Sequence, residues 1–160
     1  MNVSRDSRVF FDASCVIAAA GSTSGGSAFV LSKCRRGLLL GAISQPVVLE
    51  AEGNIAAKLG PEVLSRFHRL LVETPLLVAP VPDSAARESF RLIAGTTDDH
   101  VVASAVAVHA PYRLTLDRCL REGINAAALV VRAYTPGEFI TGILPAHAEF
   151  SDLRDDSPSR

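Results

Sequence analysis

Four short stretches of this chain each end an apolar or hydroxyl-bearing run with an acidic residue: Val9-Phe10-Phe11-Asp12, Val47-Val48-Leu49-Glu50, Thr96-Thr97-Asp98-Asp99 and Leu114-Thr115-Leu116-Asp117. An acid at the end of a buried run is costly unless it is hydrated, capping a helix or bound to something. Carboxylates that converge at one end of a sheet supply the oxygen ligands that a hard divalent cation prefers, and such a cation can promote phosphodiester chemistry. Crowded carboxylates repel by about 4 kcal/mol per pair at roughly 4 Å and an effective dielectric near 20, a conflict that a cation removes. On this reading, Asp12→Asn or Asp98→Asn is expected to abolish metal-dependent cleavage while leaving or raising thermal stability without metal. Each acid also has a plainer reading. Asp12 can cap a helix starting at Ala13, the Asp98–Asp99 pair can open another, and Asp117 can cap a short helix over Arg118–Arg121. Glu50 has a rival in Glu52 on the same predicted helix.

Positioning these acids requires strands that deliver them to a common edge. Apolar, β-branched or aromatic runs recur at Arg8–Phe11, Leu38–Ile43, Leu76–Ala79, Arg113–Leu116 and Ala128–Tyr134. Several are apolar on both faces, as parallel strands covered by helices should be. Helical spacing runs over Ser27–Arg36, closed by Gly37, and from Pro46 to about Lys58 with Ser44 just upstream. Gly60-Pro61 breaks that helix and starts one over Pro61–Val72; Asp83–Ile93 and Asp98–His109 read as two more, the second opened by its acids. Strand–helix alternation predicts a doubly wound, three-layer α/β/α sandwich around a mainly parallel five-stranded sheet. Ligands of such sheets bind outside the carboxyl ends of the strands, where all four acids can meet. A single domain over 1–145 is expected, followed by a flexible tail over 146–160.

Composition narrows the partners. At 160 residues the chain can bury a substantial core, and its 48% apolar content is rich in Ala, Val and Leu rather than aromatics, with no Trp. A net charge of −1 excludes wholesale affinity for nucleic acid, so such a partner needs a local basic patch. The three cysteines, Cys15, Cys34 and Cys119, lack CxxC spacing and predict buried thiols rather than disulfides or zinc ligands. No apolar run reaches the roughly 20 residues of a membrane span, and Met1–Asp6 lacks the apolar core of a signal peptide; a cytoplasmic protein is expected.

Taken in order, the acidic stretches resemble the motifs of the PIN-domain family. Val9-Phe10-Phe11-Asp12-Ala13-Ser14 is similar to its opening strand and Asp, and Ser44-Gln45-Pro46-Val47-Val48-Leu49-Glu50 to its second motif, a Ser six residues before a helical Glu. Asp98-Asp99-His100-Val101-Val102-Ala103-Ser104-Ala105 resembles the third, and Tyr112-Arg113-Leu114-Thr115-Leu116-Asp117 the fourth, a strand ending in Thr-x-Asp. Val131 to Phe139, with its Pro136-Gly137-Glu138-Phe139 turn, is like the closing segment. The resemblance covers roughly residues 8–142. It implies a Mg²⁺- or Mn²⁺-dependent ribonuclease of the kind found as the toxin of bacterial toxin–antitoxin pairs. Asp12, Glu50, Asp98 and Asp117 would then be the metal-site acids, with Ser14, Asp99 and Thr115 auxiliary. Either Asp98 or Asp99 can be the ligand; the spacing to Ala105 favours Asp98. In-line attack by water would leave a 5′-phosphate and a 3′-hydroxyl. RNA would be the substrate, with an antitoxin protein and a second copy of the chain as implied partners.

Other signals are weaker. Gly21-Ser22-Thr23-Ser24-Gly25-Gly26-Ser27 can cradle a phosphate beside Asp12, although it lacks the P-loop ending. Arg113, Arg118 and Arg121 surround the fourth motif and can meet phosphates, and His100 can join the site; His68, His109 and His147 read as ordinary surface or helix residues. The apolar residues Leu59, Val63, Phe67, Leu70 and Leu71 suit either a partner or the core. An aspartate-nucleophile phosphotransferase wants a second acid where Ser14 stands and a lysine near the later strands, whereas Lys33 and Lys58 lie on predicted helices. A non-catalytic PIN-like module that binds nucleic acid or protein is the stronger alternative.

Overall fold

The computed structural model describes residues 2–127 and 129–151, and of residues 93–98 the backbone alone. In chain order the elements are β1 (Arg8–Phe11), α1 (Ala13–Gly21), α2 (Gly26–Arg35), β2 (Leu40–Ser44), α3 (Gln45–Lys58), α4 (Pro61–Glu73), β3 (Leu76–Ala79), α5 (Ser84–Glu88), α6 (Arg91–Ala107), β4 (Tyr112–Leu114), α7 (Arg118–Ala126), β5 (Arg132–Tyr134) and α8 (Pro136–Gly142). A short 3-10 helix, Leu144–Ala146, follows.

The strands form a five-stranded sheet in the order β3-β2-β1-β4-β5, and every pairing is parallel. Helices cover both faces. On one, α1 packs against α2, α3 and α4; on the other, α6 packs against α5 and α7. The fold is therefore a three-layer α/β/α sandwich. Val9, Phe10 and Phe11 of the central strand are completely buried, as are Ile55, Phe67 and Phe139 from the helices. Gly41 allows a close approach within this core, since a Cβ there would lie 2.6 Å from Leu76 Cδ2. A smaller apolar cluster of Val102, Leu120, Ile124 and Ala133 fixes α6, α7 and β5 together.

Several boundaries shift from the sequence expectation. The helix expected to begin at Asp98 instead starts at Arg91 and runs through Asp98 and Asp99 without a break. Those acids are mid-helix rather than caps, because the stretch before them, Arg91 to Thr97, continues the helix instead of forming a turn. The last strand spans only Arg132–Tyr134, and the segment after it is a helix start. Thr135 Oγ1 accepts the Glu138 amide while Glu138 accepts the Thr135 amide, a reciprocal cap with Pro136 in the first turn. Phe139 then packs edge-on against Tyr112, with ring centroids 5.6 Å apart.

The expected tail is also partly docked. Val3 pairs with His147, buried His147 bonds the Leu38 carbonyl at 2.7 Å, and Arg5 holds Glu149 through contacts of 2.7 and 2.6 Å. These long-range contacts tie residues 146–150 to the body, a feature their local composition does not reveal; residues 152–160 lie outside the described residues. Phe67 is core, and Val63, Leu64, Leu70 and Leu71 pack partly buried against it, while Leu59 is exposed. That apolar surface of α4 serves the interior.

Candidate metal centre

The carboxyl ends of β1 and β4 lie side by side, and each runs directly into a helix. Asp12 follows β1 as the N-cap of α1, its Oδ1 accepting the Cys15 amide at 3.1 Å. Asp117 is the N-cap of α7, its Oδ1 accepting the Leu120 amide at 2.9 Å. Both acids therefore cap helices and face a common crevice; the plain and the chemical readings are compatible. The positive ends of both helix dipoles favour negative charge there. Ser44, at the end of β2, caps α3 by accepting the Val47 amide, and this start carries Glu50 into the same crevice one turn further on.

Asp12, Glu50 and Asp117 line one shallow pocket of about 90 Å³ together with Ala13, Ser14, Val101 and Leu120. Asp12 is only 6% exposed, whereas Glu50 and Asp117 are open to solvent. Glu52 points elsewhere and bonds His68 at 3.0 Å, which separates the two rival glutamates. Asp98 stands three positions before Val101 on α6, but its side chain lies outside the described residues.

Two hydroxyls hold the acids. The Ser14 Oγ donates to Asp12 Oδ1 at 2.5 Å and accepts the Leu116 amide at 3.1 Å. Thr115 is buried, and its Oγ1 accepts the Asp117 amide at 3.1 Å. Of the three expected auxiliary residues, Ser14 and Thr115 are therefore in position to orient the acids. Asp99 is not. It is 0% exposed, with Oδ1 3.0 Å from Arg87 Nε and Oδ2 3.6 Å from Arg91 Nε. These guanidiniums hold its carboxyl below the usual range despite burial, which alone would raise it. Asp99 fastens α5 to α6, and its place on the helix turns it away from the pocket.

Among the basic residues, Arg113 differs from expectation. Arg113 cannot meet phosphates, because it is 0% exposed; its Nη2 lies 3.8 Å from Asp12 Oδ2 beneath the pocket. Arg118 pairs with Glu122 at 2.8 Å, and Arg121 lies 3.8 Å from Glu138. His100 is absent from the pocket lining, and His147 is buried rather than superficial. The Gly21–Ser27 loop lies at the far end of α1 from Asp12, roughly 13 Å of helix away. A larger cavity, about 330 Å³, lies between α1, α2 and α4; its one acid, Glu73, stands 3.4 Å from Arg35. Burial pushes the Cys15 thiol far up and that of Cys34 to about 12, so both are inert core groups, while Cys119 is exposed.

The donor set of the pocket, three carboxylates, suits a hard cation such as Mg²⁺ or Mn²⁺ in kind. Among the described residues, no three His, Cys, Asp or Glu side chains already stand at ligating separation. Glu50 and Asp117 are the solvent-exposed members of the set, and Asp12 is the buried one.

No family model matches the chain, and no curated protein matches it. Among solved structures it is similar to PAE2754 from Pyrobaculum aerophilum, with a TM-score of 0.59 at 15% identity, covering 97% of this chain and 100% of that one. At that identity the likeness concerns the fold. No single helix among the described residues is long and apolar enough to cross a membrane.

Proposed function

We propose that this protein is a Mg²⁺- or Mn²⁺-dependent endoribonuclease that hydrolyses RNA phosphodiester bonds at the pocket of Asp12, Glu50 and Asp117, joined by Asp98 from α6. The observation that carries this reading is the convergence of Asp12, Glu50 and Asp117, from three separate chain segments, on one pocket at the carboxyl ends of the strands. The resemblance of the ordered motifs to PIN domains gives the same assignment from the sequence.

In this reading Asp12, held by Ser14 and the Cys15 amide, is the buried ligand, Asp117, held by the Leu120 amide, is the second, and Glu50 is an exposed third. Thr115 holds the Asp117 backbone, and the N-termini of α1 and α7 favour the phosphate's negative charge at the same edge. The cation would polarise the scissile phosphate and lower the pKa of an attacking water. We assign the protein to the cytoplasm and, among partners, to an antitoxin protein and a second copy of the chain, as expected for a toxin of this kind.

The test is cleavage of a mixed RNA by wild type and Asp117→Asn, each with EDTA, Mg²⁺ or Mn²⁺. Metal-dependent products bearing 5′-phosphates, lost in the variant, support the nuclease. Metal-independent RNA or protein binding without cleavage supports the alternative of a non-catalytic PIN-like module.

A further inference from the structure

Arg113 occupies the middle of β4, one of the three strands at the centre of the sheet, opposite Phe10 of β1 on one side and Ala133 of β5 on the other. A guanidinium in this dry position is expensive, since a buried ion pair rarely stabilises more than apolar side chains of the same size. Its site contact explains its presence. Asp12 divides its two oxygens: Oδ1 takes the Ser14 hydroxyl and the Cys15 amide, while Oδ2 faces Arg113 Nη2 at 3.8 Å. Asp12 is nearly as buried as the arginine, so water screens this pair poorly. A fixed positive charge beside one wall of an acidic pocket must oppose any cation entering that pocket.

We propose that Arg113 is a built-in counter-cation of the acid pocket. It aims Asp12 Oδ2 when the pocket is empty, and it weakens divalent-cation binding, making occupancy more favourable when an anionic substrate arrives with the metal. Arg113 is thus a positioning residue, acting through Asp12. The inference rests on the cation reading of the pocket and adds to it the residue that sets the affinity.

The experiment is calorimetric titration of Mn²⁺, without RNA, into wild type, Arg113→Met and Arg113→Lys. Arg113→Met keeps the length of the side chain and removes its charge, and it should bind Mn²⁺ on the order of tenfold tighter than wild type. Arg113→Lys restores the charge and should return the affinity to within about threefold of wild type. If wild type binds Mn²⁺ and Arg113→Met binds it no tighter, the proposal fails while the cation reading stands. If neither protein binds Mn²⁺, both fail. Binding by Arg113→Met alone supports both.

Should the Arg113 variants not fold, thermal unfolding of Asp12→Asn and Asp117→Asn in EDTA decides. Loss of the Asp12 charge removes an acid that faces the buried guanidinium at 3.8 Å, so Asp12→Asn should melt roughly 5 °C or more below Asp117→Asn. Equal melting temperatures overturn the proposal.

Discussion

Ser14 and Leu116 stand 102 positions apart, and a 3.1 Å hydrogen bond from the Leu116 amide to the Ser14 hydroxyl joins the end of β1 to the end of β4. The same hydroxyl donates to Asp12 at 2.5 Å, and Leu116 immediately precedes Asp117. One small side chain therefore sets the spacing of two acids delivered by different strands. Ser14→Ala is expected to lower stability by about 1 kcal/mol, through the lost hydrogen bonds. It should weaken Mn²⁺ binding more, by roughly 10- to 100-fold, as loss of a ligand-orienting contact does. Urea unfolding beside a Mn²⁺ titration separates the two; an unchanged affinity would show that the hydroxyl is merely structural.

Asp12→Asn reverses sign relative to the simple repulsion argument. Four repelling carboxylates predict that removing one charge stabilises the metal-free protein. Arg113 at 3.8 Å changes the balance, because Asp12 is the counter-ion of a buried guanidinium. Asp12→Asn is expected to lose about 2–4 kcal/mol in EDTA while retaining its helix cap, since Asn caps as well as Asp. Denaturant melts in EDTA check this, and a gain in stability would contradict it.

Glu50 and Glu52 lie on one helix and are predicted to behave oppositely. Glu50→Gln removes a pocket carboxylate and should abolish the Mn²⁺-induced rise in melting temperature. Glu52→Gln disturbs an exposed contact to His68 and should change stability by less than about 0.5 kcal/mol, with the metal response intact. Thermal melts of both variants with and without Mn²⁺ decide.

The acid limb of stability should report the C-terminal clasp. Hydrogen bonds from Arg5 hold the Glu149 carboxyl below its usual range. Its stabilising contribution is therefore complete above the unfolded value of about 4.3 and is lost as pH falls through the lower folded value. Hydrogen-exchange protection of residues 146–150, taken relative to the intrinsic rate at each pH, should fall in wild type as pH drops through the lowered folded value. Arg5→Ala should show low protection at pH 7 already, with little further change on acidification.

Asp99→Asn is expected to loosen α5 while leaving the pocket alone. Helix α5 buries none of its side chains, and the Arg87–Asp99 contact of 3.0 Å is what fastens it to α6. Faster exchange over Ser84–Glu88 with Mn²⁺ affinity within about threefold of wild type fits a fastening role; lost affinity would place Asp99 in the site.

Much of this was legible in the chain. The apolar strands fixed the parallel sheet because burial on both faces leaves a continuous apolar run, and Ser44, Pro46 and Gly60-Pro61 marked helix ends by local chemistry. The acids at Asp12 and Asp117 were visible because each stands where a buried strand stops. Features that depend on distant partners were hidden: the α6 start, for which Asp98-Asp99 gave a false cap, and the docking of Glu149 on Arg5. Arg113 carried a readable signal that was misassigned, since a charged residue between Tyr112 and Leu114 of a buried strand requires an acidic neighbour rather than a phosphate. Asp12, an acid that faces it, is 101 positions away and becomes adjacent only through the β1–β4 pairing.

The central claim is that the acid pocket holds a divalent cation. Its most direct measurement is Mn²⁺ binding to wild type and Asp117→Asn by titration calorimetry in the absence of RNA. Saturable binding by wild type that Asp117→Asn abolishes or weakens by at least about 100-fold is the predicted result. Equal binding by the two proteins, or none by wild type and by Arg113→Met alike, would contradict it.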